Sequence, residues 1–302
     1  SSTGRRPRST TSTRGPGWHV WPRVCKGDVG GLRTLQRRWT SFLKSHLECG
    51  ATPHTPPHLL SQVRGAQLSR GALYLLLTGG PTSRLSAVCV YRMADVRAAF
   101  RGSYRHHDDA TRKWITYPRS VPDPRPGACV SAGVRARGFP RSSSLPDRTL
   151  SFALEHPLMF SSVRPSNPAS PTNTTTDSTA DSTTTAAAIL AVRGDSLAAI
   201  AVTHVEVATA TTKATAYPVL YLAGERGVLY KAVLIGSLSH IIEETRLFPE
   251  PQPISRLLLS ANQRAVFVLA EASCLQLPAA SCSRLTSCAD CILARDPYCA
   301  WD

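Results

Sequence analysis

The residues best equipped for chemistry lie at the end of the chain, where Cys282-Ser-Arg-Leu-Thr-Ser-Cys288-Ala-Asp-Cys291 and Cys299 place four thiols within eighteen residues. Core cysteines are not packed that densely. Cys288 and Cys291 have the two-residue spacing that lets two thiolates face one zinc ion. No second Cys-x-x-Cys exists, however, and the outer spacings are unlike common zinc modules, so a small disulfide-stapled module is the stronger reading. The chain has nine cysteines, none beside a histidine at metal-finger spacing, which indicates an oxidising compartment. An odd count leaves at least one thiol free or paired outside the chain.

Other reactive groupings are weaker. His106, His107, Asp108 and Asp109 offer metal-capable atoms, yet adjacent residues point apart, and the run reads as a solvated turn. Arg193-Gly194-Asp195 matches an integrin-type tripeptide that is short enough to recur by chance. Asn173-Thr174-Thr175 is an N-glycosylation acceptor. There is no Gly-x-Ser-x-Gly elbow, P-loop or His-Glu-x-x-His. Nothing calls for catalytic residues, a cofactor or a bound metal, and the expectation is a binding module that is not an enzyme.

At 302 residues with 42% hydrophobic content, the chain has material for a large core. Its net charge of +15 would attract phosphate, sulfated sugar or anionic headgroups. The excess is almost all arginine and heaviest in the first fifty residues. A nucleic-acid groove would interleave aromatics with that charge, so a solvated face with a basic tail is preferred and no nucleic-acid partner is expected. The rival from another class is a basic polyanion-binding protein with a zinc-stabilised tail. No apolar run reaches the roughly 18 residues of a membrane helix, no signal segment opens the chain, and Ser1 stands in place of a methionine. These features read as a fragment whose entry signal and anchor lie outside it.

The elements that would position these residues follow from periodicity. Residues 1–18 read as a flexible basic extension. Across Arg38 to Cys49, Trp39, Phe42, Leu43, His46 and Leu47 fit a helical stripe, while Trp39, Leu43, Leu47 and Cys49 also fall on one side of a strand; the pattern leans towards helix. Ala72 to Thr78 and Ser86 to Tyr91 read as strands beside Gly79-Gly80-Pro81, followed by a helical turn over Met93 to Phe100. Four prolines between Pro118 and Pro126 forbid regular structure. Leu145 to His156 reads as a helix with Asp147 as N-cap and Pro157 as stop. The Ser/Thr-rich stretch 166–188 should be a loose loop. Ala198 to Val207, Val219 to Ala223, Val228 to Ile235 and Ile241 to Phe248 then read as strands, with a hairpin turn at Gly224-Glu225-Arg226-Gly227. Ile254 to Leu259 and Ala265 to Leu269 begin the order again, which is the rhythm of β-propeller blades.

Specific motifs now carry a resemblance. Leu293-Ala-Arg-Asp-Pro-Tyr-Cys-Ala-Trp-Asp302, preceded by Cys-x-x-Cys, resembles the start of the plexin-semaphorin-integrin cysteine module of semaphorins. Val24-Cys-Lys-Gly-Asp-Val-Gly-Gly31, Arg38-Trp-Thr-Ser-Phe-Leu-Lys44, Ser86-Ala-Val-Cys-Val-Tyr91, Pro124-Arg-Pro-Gly-Ala-Cys129 and His156-Pro-Leu-Met159 resemble successive sema-domain landmarks in the right order. His240-Ile-Ile-Glu-Glu-Thr-Arg-Leu-Phe248 and Leu257-Leu-Leu-Ser260 are most similar to class 4, whose members are single-pass membrane proteins.

The resemblance implies an all-β fold: part of a seven-bladed propeller over 19–280, with a helix-bearing extrusion at about 122–159, followed at 281–302 by the start of the cysteine module. The family's first blades are missing, and with them the strand that closes the ring. It makes Arg38 to Cys49 a strand. It pairs Cys25 with Cys129, Cys49 with Cys89 and Cys282 with Cys299, and leaves Cys288, Cys291 and Cys274 unpaired within the chain. It implies an extracellular or cell-surface guidance ligand that binds a plexin receptor, forms a homodimer through the propeller, and is anchored by a segment outside the chain. The receptor-facing region would fall between Thr40 and Tyr104, with contact residues unknown. A truncated product without function is the remaining alternative.

Overall fold

The computed structural model describes residues 19–52, 59–79, 83–166, 187–209, 212–260, 262 and 264–301. The basic extension, Asn173 and most of the Ser/Thr-rich stretch lie outside them.

Strand β1 (His19–Arg23) pairs antiparallel with β2 (Leu43–Leu47). In β2 the buried residues are Leu43, Ser45 and Leu47, alternating with Lys44 and His46. That is a period of two, which corrects the helical leaning over Arg38 to Cys49. Trp39, the start of the supposed stripe, is 52% exposed, so it is not part of the face that burial selects.

A four-stranded antiparallel sheet follows. Its first three strands, β3 (Gln62–Ser69), β4 (Ala72–Thr78) and β5 (Leu85–Arg92), are consecutive. Its fourth arrives only after a long excursion through α1 (Met93–Arg101), the hairpin β6 (Arg105–Asp108) and β7 (Lys113–Thr116), α2 (Ala132–Ala136), a single 3-10 turn at Ser142–Ser144, and α3 (Asp147–Glu155). Then β8 (Leu190–Arg193) pairs with β5. Two expectations need correcting here. His106, His107 and Asp108 lie on strand β6, and only Asp109 falls in the turn. The N-cap of α3 is Pro146, with no side-chain cap, and Asp147 sits in the first turn, where a carboxylate still favours the positive end of the helix dipole.

The next sheet has the order β12-β11-β10-β9, with β9 (Leu197–Thr209), β10 (Thr212–Gly224), β11 (Val228–Ile235) and β12 (Leu238–Arg246) joined as consecutive hairpins. The order restarts with β13 (Ile254–Ser260), β14 (Ala265–Ala270) and β15 (Cys274–Pro278). Helix α4 (Cys288–Ala294) is the last regular element of the described chain.

Strand β9 lies against β3 of one neighbouring sheet and β13 of the other. First strands converging while later strands run outward is the blade arrangement of a propeller. The core therefore sits between blades. Leu220 and Leu222 of β10 pack with Tyr74, Leu76, Val88 and Val90 on one side, while Val219 and Tyr221 pack with Ile254, Val266 and Val268 on the other. Both faces of β10 are covered, so its sequence is continuously apolar there rather than alternating. Each fully buried leucine contributes about 2 kcal/mol. No helix among the described residues is long and apolar enough to cross a membrane.

Candidate recognition surface and its fastenings

Three bonds organise the surface. Cys25 is bonded to Cys129 across 104 residues, which ties the loop after β1 to the chain entering α2. Cys49 is bonded to Cys89, across 40 residues, which ties the end of β2 to β5 in the adjacent sheet. Cys282 is bonded to Cys299, across 17 residues, in the tail. Cys274 and Cys288 are exposed thiols and Cys291 is a partly exposed one.

The loop between β1 and β2 has little apolar material and is organised by Asp28. Its carboxylate accepts from Gly30 N (3.0 Å), Thr40 Oγ1 (3.0 Å), Ser41 N (2.8 Å) and Ser41 Oγ. Burial works to raise this carboxyl, but the donors from Ser41, Gly30 and Thr40 hold it below the usual carboxylate value. Sequence reasoning missed Asp28; its signal was a lone acid in an arginine-rich loop.

The excursion is pinned to the same region. Tyr104, 1% exposed, donates its hydroxyl to the Pro126 carbonyl (2.7 Å) and packs edge-on against Phe152. Arg23 donates to the Gly127 carbonyl (2.8 Å) and lies over the Phe100 ring. Gly127 has φ +67°, and a Cβ there would sit 2.5 Å from Leu43 Cγ, so only glycine fits between loop and core. His106 meets Tyr117 and His156 edge-on, and His107 meets Trp114 edge-on. Burial, then the neighbouring His106, pushes the His156 ring pKa down.

The tail is held differently. Lys231, in the middle of β11, donates Nζ to Asp296 Oδ2 (2.5 Å), and the side chains are 5% and 6% exposed. The ammonium also lies 4.9 Å from the centre of the Tyr298 ring. Tyr298 N donates to Asp296 Oδ1 (3.1 Å), and Tyr221 donates its hydroxyl to the Ala279 carbonyl (2.7 Å). Burial pushes the Lys231 pKa down, more than Asp296 and Glu243 push it up. Asp296 and Tyr298 thus dock the cysteine tail on the blade β9–β12. Lysine inside Val228-Leu-Tyr-Lys-Ala-Val-Leu-Ile235 is the legible signal, because a charge in an apolar strand needs a partner.

The integrin-type tripeptide is not available. Asp195 is 2% exposed and accepts the Tyr230 hydroxyl (3.3 Å), and burial pushes its carboxyl up.

Residues 61–261 match the Sema domain and residues 281–302 the Plexin repeat. The chain belongs to the Sema-domain family. Its relatives include class 4 semaphorins: it is 40% identical over 290 residues to human Semaphorin-4G, covering 93% of this chain and 31% of that protein. It is 38% identical over 293 residues to mouse Semaphorin-4D, covering 92% and 31%. The chain therefore spans about a third of the length of these curated relatives. A chain from the structure of Drosophila Plexin A in complex with Semaphorin 1b superposes with a TM-score of 0.73 at 27% identity, covering 94% of this chain and 53% of that one. This sema-type arrangement is a partial propeller with a helix-bearing extrusion and a small disulfide-bonded tail.

Proposed function

We propose that this chain belongs to an extracellular semaphorin signalling ligand that binds a plexin receptor, dimerises through propeller faces and acts in cell migration and axon guidance. The observation that carries this reading is the blade arrangement it shares with the Semaphorin 1b–Plexin A complex, together with its class 4 relatives. It acts by binding and has no catalytic chemistry. Residues 19–280 form the propeller part and 281–302 the start of the cysteine module. The receptor-facing region lies between Thr40 and Tyr104, the parent protein is anchored in the plasma membrane, and Asn173 accepts a glycan. The three disulfides form in the secretory pathway.

The zinc-stabilised rival needs Cys282 and Cys299 as metal ligands, and these two are bonded to each other. Binding of purified chain to immobilised plexin ectodomains, beside a longer chain extended at both ends, tests the receptor reading. Binding by the longer chain is expected; failure of both sinks it.

A further inference from the structure

Two segments far apart in sequence meet around the Cys25–Cys129 bond. Val29 N donates to Ser142 Oγ (2.9 Å), and the same hydroxyl donates to the Gly30 carbonyl (3.0 Å). Between the segments lies a cavity of about 350 Å³ whose walls include Lys26, Arg135 and Arg141. Arg33, Arg37 and Arg38 are exposed on the same loop as Lys26.

None of these six cations has a carboxylate partner among the described residues. Asp28, the carboxylate in the cavity wall, is consumed by its four donors. Three cations without a carboxylate partner thus line one concave place, and three more stand on the loop that forms part of its wall.

We propose that this surface binds a sulfated polysaccharide of the glycosaminoglycan class. Five of the six cations are arginines, whose planar forks match sulfate and carboxylate oxygens bidentately. Lys26, Arg135 and Arg141 are exposed around the concavity, where a linear polyanion can lay one group and run on towards Arg33, Arg37 and Arg38 of the same loop. An oxidising compartment supplies sulfated sugars rather than nucleic acid. Only the compartment is shared with the receptor reading; plexin binding is not required.

The test is binding of the whole chain to immobilised heparin across a salt series. Arg135→Ser with Arg141→Ser should weaken binding on the order of tenfold at physiological salt and flatten the salt dependence. Arg193→Ser with Arg256→Ser, an equal charge change at exposed sites on β8 and β13, should leave it within about twofold. As a second measurement that needs no variant, heparin should protect Lys26 from acetylation while Lys113, on β7, stays reactive. Equal loss in both double variants, or no protection of Lys26, overturns the proposal in favour of diffuse attraction. Undiminished binding to fully desulfated heparin overturns it too. Better competition by phosphatidylserine vesicles or by polyglutamate assigns the surface to a membrane or an acidic protein instead. Plexin binding retained by the Arg135/Arg141 variant would separate this surface from the receptor site.

Discussion

The loop between β1 and β2 has no regular element and the cysteine tail only two short helical ones, and they are fastened by different physics. The loop is closed over a long span by the Cys25–Cys129 bond and filled by hydrogen bonds to one half-buried carboxylate. The tail has a bond of its own, but Cys282–Cys299 closes only the tail upon itself. The tail is joined to the propeller by the Lys231–Asp296 pair, buried beneath Tyr298, and by a more exposed Arg284–Glu243 pair. The difference predicts how each fails: the loop should loosen on reduction, while the tail should detach when one charge is lost.

Removing the long bond has the largest expected effect. Cys25→Ser with Cys129→Ser should destabilise the chain by about 4 kcal/mol, less than the chain-entropy value for so long a loop because the nested Cys49–Cys89 bond already shortens it. Urea unfolding of both forms checks this, and a loss under about 1 kcal/mol would show that the hydrogen bonds alone hold the loop. Next is Lys231→Met, which strands Asp296 in an apolar setting and should cost about 3 kcal/mol; replacing both partners, Lys231→Met with Asp296→Leu, should recover most of it. Hydrogen exchange over residues 282–299 reports the detachment. No recovery in the double variant would make the pair itself, rather than the orphaned charge, the source of docking.

How much was legible in the sequence divides along the same line. Strands buried on both faces, such as β4, β10 and β11, announce themselves as apolar runs. Excursion elements do not: β6 carries two histidines and an aspartate on a partly exposed hairpin, so no apolar period exists to be read. Strand β15 is five residues with alternating partial exposure and gives equally little signal. The cysteine pairs could not be read from spacing, since four cysteines permit three pairings; family resemblance implied them, and the same three pairs are bonded in the structure. The docking residues Asp296 and Tyr298 stood in the quoted motif without a role, because the partner that gives them one lies 65 residues upstream.

A smaller effect separates shape from conformation in the loop-and-extrusion region. Gly127→Ala puts a Cβ 2.5 Å from Leu43 Cγ at φ +67° and should cost roughly 2 kcal/mol. Gly138→Ala, at φ +91° with nothing within 4 Å, meets only the backbone penalty, about 1 kcal/mol. Equal losses by thermal melting would mean that the contact with Leu43 is easily relieved.

The smallest effect is the most diagnostic of the loop, and it depends on the sign of two carboxylates. Asp28 is held below its ordinary value of 3.8. Its contribution is therefore complete above that value and is lost as pH falls through the lower folded one. Asp195 is raised above 3.8; its contribution is present below 3.8 and is lost as pH rises through the folded value. The two slopes oppose each other in acid. Asp28→Asn should cost about 1 kcal/mol at pH 7 after solvent screening, and it should remove the acid-side loss that belongs to the loop. Asp195→Asn should leave that loss in place and relieve the penalty of a buried charge at neutral pH. Urea midpoints for both variants between pH 2.5 and 7 read the outcome. If Asp28→Asn retains the full acid-side loss, the loop is held by Cys25–Cys129 and not by its carboxylate, which would leave covalent closure as the sole fastening set against the ion pair of the tail.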